Sequence, residues 1–470
     1  MSKINLNKYM ANLILWSCVN RIHAPIRTVA CYQLASWLRQ HGYTVKVIDF
    51  CHLMTPAELA AITEKNIGSD TLAIGVSSTF WNVADGKIAT YAEPEWVLNA
   101  RQILSTRTKL PWLLGGYGSI SVKLTLDWIK FHGNAEDALL KWMDENSSKL
   151  VRRDLFDVKN ISKSFLEDDF IQPYEVVSIE LGRGCQFKCK FCSFPLIGKK
   201  KGTYLRDYGL LKDEFLKNYE EHNITRYYFQ DDTVNESEEK VNALANIAQS
   251  LPFELSWTGY NRLDLIWSRP GTIQMLKDSG LKSAYFGIES FHPAASMAVG
   301  KGWNGKQGKE FLLKLKEEWK DNITWSLSLI IGLPGEDRKS IEETYQWCVD
   351  NEMYNWDFAT LFINRNTNNI WKSEFEKEYS KYGYSFTGDK TDYNWKNDIW
   401  SREEANELRK ELSFRGEQYQ KPSSFLLSTL VGLDYSYEEL MHTHINKLPW
   451  NEFLQRRDSM IKNYVEFQLR

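Results

Sequence analysis

Over the first 150 residues, short apolar runs alternate with stretches whose apolar positions recur at helical spacing. Asn12–Trp16 reads as a short strand of the buried type. The segment opened by Pro25 sets Cys31, Leu34, Ala35 and Leu38 on one helical face, and Gly42 closes it. Thr44–Asp49 predicts the next strand. Thr55-Pro56-Ala57-Glu58 then supplies the hydroxyl, proline and acid that suit a helix start. Thr71–Ser77 and Leu110–Gly115 predict two further strands, with a helix over Glu95–Ser105 between them. Such alternation specifies a mostly parallel sheet with helices wound on both faces.

Residues 151–175 are polar with weak periodicity and read as a linker. A second alternation follows, with strands predicted at Val176–Glu180, Arg226–Gln230, Glu254–Gly259, Ser283–Ile288, Trp325–Ile331 and Trp356–Ile363. Helical stripes fall between them, as at Ile341, Tyr345 and Cys348. Six strand–helix units predict a partial TIM-type barrel, in which chemistry gathers at the carboxyl ends of the strands. Beyond it the alternation stops. Ser401 and Glu404 form a capping box ahead of Leu408 and Leu412, so the tail is expected to be mainly helical. The expected class is α/β: an N-terminal Rossmann-like doubly wound domain (1–150), a linker (151–175), a partial (β/α)6 barrel (176–365) and a helical C-terminal domain (366–470).

Composition narrows this picture. With 43% apolar and 25% charged residues, the 470-residue chain is neither wholly disordered nor collagen-like. Its 58 Lys and Arg against 61 Asp and Glu leave no global basic field, so no nucleic-acid partner is expected. No apolar run is long enough to span a membrane, and Met1–Met10 lacks the pattern of a secretory signal. Seven cysteines make a poor disulfide framework, whereas three within eight residues suit a metal site in a reducing compartment. The expected location is the cytoplasm.

Those three are Cys185, Cys189 and Cys192, just past the first barrel strand, with Gly182 and Gly184 allowing a sharp turn before them. Three thiolates can hold three irons of a four-iron, four-sulfur cluster and leave the fourth without a protein ligand. A structural zinc site needs a fourth Cys or His nearby. The next cysteine is Cys348, and the nearest downstream histidine is His222.

The Cys-x3-Cys-x2-Cys motif, with Phe191 before its third cysteine and a barrel behind it, resembles the radical S-adenosylmethionine (SAM) superfamily. Other stretches resemble that family's secondary motifs in order. Gln230-Asp231-Asp232 and Asn261-Arg262 follow the second and third strands, Gly287-Ile288-Glu289-Ser290 ends the fourth, and Ser328 to Glu336 runs along the fifth. The resemblance implies that the SAM amine and carboxylate chelate the open iron. Reductive cleavage there yields a 5′-deoxyadenosyl radical. It also implies that Asp231, Asp232 and Arg262 meet the charged groups of SAM, Glu289 and Ser290 its ribose and methionine part, and Ser328 and Gly332 its adenine side. A sulfonium, an ammonium and a carboxylate do require carboxylates and a guanidinium facing each other. Ser328 stands where the family more often has glycine.

The first domain is similar to the cobalamin-binding domain that precedes the barrel in one branch of the superfamily. The likeness rests on Pro25–Gly42, on Ser77 and Ser78 at one strand end, on Gly115 and Gly116 at another, and on Gly133 to Leu140. The branch's Asp-x-His-x-x-Gly lower-ligand motif is absent, and Asp49 to His52 has the wrong spacing for it. No histidine is therefore expected to ligate cobalt. The cofactors implied are a 4Fe-4S cluster, SAM and cobalamin. An external electron donor such as a flavodoxin or ferredoxin is implied as a partner.

The leading expectation is cobalamin-dependent methylation of an unactivated carbon in a small-molecule or peptide-derived substrate. Radical rearrangement or cyclisation with the same cofactors stays open. Outside catalysis, an iron–sulfur redox sensor or electron carrier is the alternative. Cys31 and Cys348 lie on apolar stripes and read as core. Lys199-Lys200-Lys201 reads as a solvated loop. Trp395, Trp400 and Tyr419 are expected to cap the pocket.

Overall fold

The computed structural model describes residues 10–19, 25–79, 81, 92–120, 124–147, 155–194, 196–301, 305–364, 372–387 and 394–470. The chain divides into two compact units, one of residues 1–178, 209–224 and 450–470 and one of residues 179–208 and 225–449. Residues 366–470, grouped from the sequence as one helical region, are thus shared between the two.

The first unit holds five parallel strands: β1 (Leu13–Trp16), β2 (Val45–Ile48), β3 (Ala73–Ser77), β4 (Trp112–Gly115) and β5 (Ile129–Lys130), in the order β2-β1-β3-β4-β5. Leu13, Ile14, Val47, Ile48 and Ile74 are fully buried, as expected for strands covered on both faces. The helix Pro56–Lys65 starts at the capping box of Thr55 and Glu58, and the helix Glu95–Ser105 lies where the periodicity placed it. The first helix begins at Val29 rather than at Pro25, because Thr28 stays extended as its N-cap.

Arg27 explains why distant segments join this unit. It is buried, pairs with Asp49 at 2.8 Å and Glu175 at 2.6 Å, and donates to the carbonyls of Asp169 and Phe170. The amide of Asp49 in turn donates to the Tyr464 hydroxyl, on the last helix Trp450–Leu469. A buried guanidinium needs this many acceptors, so the linker and the C-terminal helix close the domain.

The second sheet has six strands in sequential order: β6 (Val177–Ile179), β7 (Arg226–Phe229), β8 (Ser256–Asn261), β9 (Leu281–Glu289), β10 (Thr324–Ile331) and β11 (Asn355–Thr360), of which β7 to β11 lie in the second unit. Strands β7 to β11 pair in parallel, and this is the partial barrel expected. Its outer face is apolar: Trp257, Phe286, Trp325 and Leu327 are buried, and Phe286 stacks on Trp319 of a covering helix. The opposite face carries hydroxyls. Thr258, Ser283 and Ser326 meet Ser424 and Ser428 of the helix Ser424–Val431, which plugs the amino end of the barrel through a hydroxyl network.

Candidate active site

The cysteine loop is anchored before it reaches the thiols. Asp231, at the end of β7, accepts from the amides of Leu181 at 2.8 Å and Gly182 at 3.0 Å, and pairs with Lys240 at 2.6 Å. Lys240 is itself buried and is capped a second time by Glu236 at 3.5 Å. Gly184 has φ +79°, and a Cβ there would come within 2.6 Å of Leu196, so the turn into Cys185 needs glycine. The Cys185 amide donates to the Leu196 carbonyl at 3.2 Å, and the Lys190 amide donates to that of Val299 at 3.0 Å. Lys199 is buried on this loop, bonded to the Arg183 carbonyl and paired with Glu236 at 3.3 Å. That corrects the solvated-loop reading for Lys199, because its charge is needed to hold the loop; Lys200 and Lys201 are exposed.

All three thiols are half-buried. Burial pushes Cys192 up to about 12, with Cys189, Asp232 and Cys185 adding to the rise. Burial also raises Cys185, with Asp232 and Cys189 contributing, although Thr233, 3.5 Å from its sulfur, opposes this. Holding Cys185 and Cys192 as thiolates in this half-buried loop therefore calls for a positive centre beside them. Among the described residues no three His, Cys, Asp or Glu side chains are close enough to grip one metal ion. Zinc would draw its sulfurs to about 2.3 Å from a single centre. A four-iron cluster takes each thiolate on a different iron and needs them spread apart. Three thiols on one loop, with no further Cys or His near them in the sequence, are a donor set that fits a four-iron cluster.

Around the loop, Arg262 donates to the Cys189 sulfur at 3.3 Å, lies 4.1 Å over the Phe187 ring and binds Asp264 through two nitrogens. Phe191 and Asp232 are half-buried. Burial pushes the Asp232 carboxyl up to about 6, with the buried Asp231 next to it adding to the rise. Asp231 and Asp232 thus part company: one is consumed in anchoring the loop, the other faces partly open space. Glu289 ends β9 with φ +66° and pairs with Lys301 at 2.9 Å. Ser290 is buried and accepts from the His292 amide at 2.8 Å. Glu336, behind it, is pushed up to about 7 by burial, which the Ser290 hydroxyl partly offsets.

Ser328 sits half-buried on β10. Gly332 follows β10 with φ +101°, and a Cβ there would strike the Trp395 ring at 2.2 Å. The tail packs on this turn: Tyr384 donates to the Gly332 carbonyl, Trp395 to that of Leu361 and Trp400 to that of Glu336. Trp395 and Trp400 are therefore buried clamps on the β10 and β11 ends, while Tyr419 is exposed.

The first unit has its own candidate edge. The order β2-β1-β3-β4-β5 reverses direction between β1 and β3, and ligands in such sheets lie outside the carboxyl ends at that reversal. Ser77 and Ser78 follow there on β3, with the Ser78 amide and hydroxyl both bonded to the Gly115 carbonyl. A Cβ on Gly115 would meet nothing within 4 Å, so its backbone presents an open surface. Gly116 has φ +88° and lies against Thr79. Cys18, Cys31, Cys51 and Cys348 are buried thiols, as the stripes of Cys31 and Cys348 implied.

Strand-end motifs were the signal in the sequence, and they missed Lys240, Lys199 and Asp264. They also missed Tyr260, Tyr285 and Asp357, which lie half-buried inside β8, β9 and β11. Their shared strand parity was the available clue.

Residues 179–348 match the family model of the radical SAM superfamily, and the chain carries a domain of that superfamily. Such a domain implies a 4Fe-4S cluster and SAM. The chain is 27% identical over 175 residues to Uncharacterized methyltransferase PH0819 of Pyrococcus horikoshii, covering 37% of this chain and 36% of that protein. It spans about a third of the length of the curated relatives it matches. In fold it is similar to TsrM from Kitasatospora setae, a radical S-adenosylmethionine methyltransferase solved with tryptophan and aza-SAM. That likeness has a TM-score of 0.64 at 14% identity over 96% of this chain and 99% of TsrM. It is also similar to OxsB, a cobalamin-dependent S-adenosylmethionine radical enzyme, with a TM-score of 0.58 at 12% identity over 98% of this chain and 72% of OxsB.

Proposed function

We propose that this protein is a radical SAM enzyme that methylates an unactivated carbon of a small-molecule or peptide-derived substrate with the help of cobalamin. The observation that carries the reading is the trio of half-buried thiols on one anchored loop, with the Arg262 guanidinium 3.3 Å from the Cys189 sulfur. When bound, the cluster, SAM and cobalamin supply an electron, a 5′-deoxyadenosyl radical and a methyl group.

Cys185, Cys189 and Cys192 hold the cluster, and Phe191 walls it on one side. Arg262 sets positive charge beside the Cys189 sulfur and toward a carboxylate, and Asp232 accepts from an ammonium. Glu289 and Ser290 border the ribose and methionine part, while Ser328 and Gly332 border the adenine side. Asp231, placed by its bonds to Leu181 and Gly182, positions the loop. In the first unit Ser77, Ser78, Gly115 and Gly116 form the edge for a flat neutral macrocycle, supported by the open face of Gly115. The names of TsrM and OxsB, with their likeness of fold, support methylation and cobalamin respectively. An external flavodoxin or ferredoxin supplies the electron, and the setting is the cytoplasm. Among the described residues no helix is long and apolar enough to cross a membrane.

Anaerobic reconstitution with iron and sulfide, followed by dithionite and SAM, tests the reading. The expected result is about four irons per chain, release of 5′-deoxyadenosine, and corrinoid bands that survive desalting after hydroxocobalamin is added. Iron near one per chain, or intact SAM, overturns the enzyme reading. A corrinoid-free protein overturns methylation, and a product without the added carbon assigns rearrangement or cyclisation instead.

A further inference from the structure

Apart from Ser328, the inside of the barrel is built by residues that no motif pointed to. On β8 to β11 every second residue faces away from the apolar helices, giving Thr258 and Tyr260, Ser283 and Tyr285, Ser326 and Ser328, and Asn355 and Asp357. The register pairs Tyr260 with Tyr285, Tyr285 with Ser326, and Ser328 with Asp357, so these positions form neighbouring rows on one face. The lower row is spent on the plug helix, because Ser283 and Ser326 both bond Ser424. One row higher, Tyr260, Tyr285, Ser328 and Asp357 are all half-buried rather than closed over.

That upper row has a definite chemistry. The Tyr285 hydroxyl donates to the Asp357 carboxylate at 3.1 Å. The Tyr260 and Tyr285 rings meet edge-on with centroids 4.8 Å apart. A carboxylate with one tyrosine on it and a second tyrosine ring packed on the first attracts a cation through charge, and the adjoining ring faces add to that attraction. It repels an anion for the same reasons. The row also lies below the strand ends: Ser328, which is level with Asp357, precedes Gly332 by four residues, or about 13 Å at the usual strand rise.

We infer that Asp357, with Tyr285 and Tyr260, is the recognition point for a cationic nitrogen of the substrate, an amine or amidine bound inside the barrel. The inference rests on the proposed function only for the statement that substrate enters this face. SAM also carries positive charge, so the same chemistry has two possible sources. Ser328, level with Asp357, is itself assigned to the adenine side of SAM, so the separate titration of SAM decides between the two sources.

The test uses the full chain with its cluster loaded, under anaerobic calorimetry at neutral pH. The probes are phenethylammonium and its neutral isostere 2-phenylethanol, and SAM is titrated separately. Wild type is expected to prefer the ammonium by about tenfold. Asp357→Asn should cut that preference below about twofold and leave SAM affinity unchanged. Tyr285→Phe should reduce the preference part of the way, and it keeps the test open should Asp357→Asn lose its melting transition. Equal binding of the two probes by wild type overturns the inference, and so does a preference that survives Asp357→Asn. A matching loss of SAM affinity also overturns it, by giving the carboxylate to SAM. Iron content and SAM binding of the wild type report on the proposed function independently: if they fail while the amine preference holds, the enzyme reading falls and this one stands.

Discussion

The two parallel sheets present opposite chemistry at the same place, the carboxyl ends of their strands. The six-stranded sheet ends in Asp232, Arg262 and Glu289, with Lys301 bound to the last of these. The five-stranded sheet ends in Ser77, Ser78, Gly115 and Gly116, with Cys18 buried after β1. Both sheets obey the same topological rule about where ligands sit, so topology does not make the difference. Side chains do. A charged edge suits a small ligand that carries several formal charges, and a small, uncharged edge suits a broad ligand that comes close to the backbone. The comparison also explains why one edge is held by ion pairs and the other by backbone geometry.

The largest effect falls on the charged edge. Replacing any of Cys185, Cys189 or Cys192 with Ala should leave less than about one iron per chain after reconstitution and abolish 5′-deoxyadenosine release. Cys18→Ala and Cys348→Ala should change neither readout, although Cys348→Ala should lower stability slightly through the small cavity it leaves. Iron analysis of the five variants decides whether the two groups of thiols differ as burial suggests.

Next comes the anchor beneath those thiols. Lys240→Met would leave the buried Asp231 carboxylate with only the Leu181 and Gly182 amides. The expected loss is about 3–5 kcal/mol in urea unfolding. The double variant with Asp231→Asn should recover part of it, since the unpaired Asp231 charge is then gone while Glu236 keeps Lys199 as its partner. A loss below about 1 kcal/mol would mean that the pair is solvated and does not fix the loop.

A smaller effect comes from placing charge on the neutral sheet. His52 follows β2, both its ring nitrogens are buried without a hydrogen-bond partner, and burial with Arg457 nearby lowers it from 6.5 to about 4. Its neutral form is favoured in the folded chain. The stability this gives is therefore fully present above pH 6.5 and is lost as pH falls through 4. The gap is worth about 3 kcal/mol. Denaturation midpoints of His52→Gln should fall less steeply over that window than those of the native chain; parallel curves would refute the assignment.

Much of this was legible in the sequence, for reasons that differ by residue. Apart from β5, the strands of the two large sheets were read near their observed positions, because the first sheet leaves an apolar run such as Leu13–Trp16 and the second alternates an apolar outer face, as at Trp325 and Leu327, with its inner residues. The cysteine loop was legible because chelation fixes spacing. What stayed hidden depends on contacts distant in sequence. Nothing local to Tyr464 reveals that its hydroxyl accepts from Asp49. Nothing local to Lys199 reveals its Glu236 partner, so a basic triplet looked solvated. The hydroxyl lining of the barrel was hidden because small polar residues at alternate positions read as an exposed strand face, and only Ser424 and Ser428 show that the face is enclosed.

The two glycines at the end of β4 allow the finest separation. Gly116 adopts φ +88°, and its missing Cβ would stand 2.4 Å from the Thr79 hydroxyl and 2.7 Å from the Thr79 amide. Gly116→Ala therefore strains the backbone and presses on a neighbour, and should lower stability by about 1–2 kcal/mol whether or not a ligand is present. Gly115 has no such neighbour, so Gly115→Ala should leave the unfolding midpoint within about 0.5 kcal/mol of the native chain. If the backbone there meets a macrocycle, the added methyl instead occupies the ligand's space, and corrinoid retained after desalting should fall. Retention that drops with Gly115→Ala while stability holds ties the uncharged edge to a close-lying ligand. Retention that follows stability in both variants would make that edge a folding device alone and would remove the contrast between the two sheets.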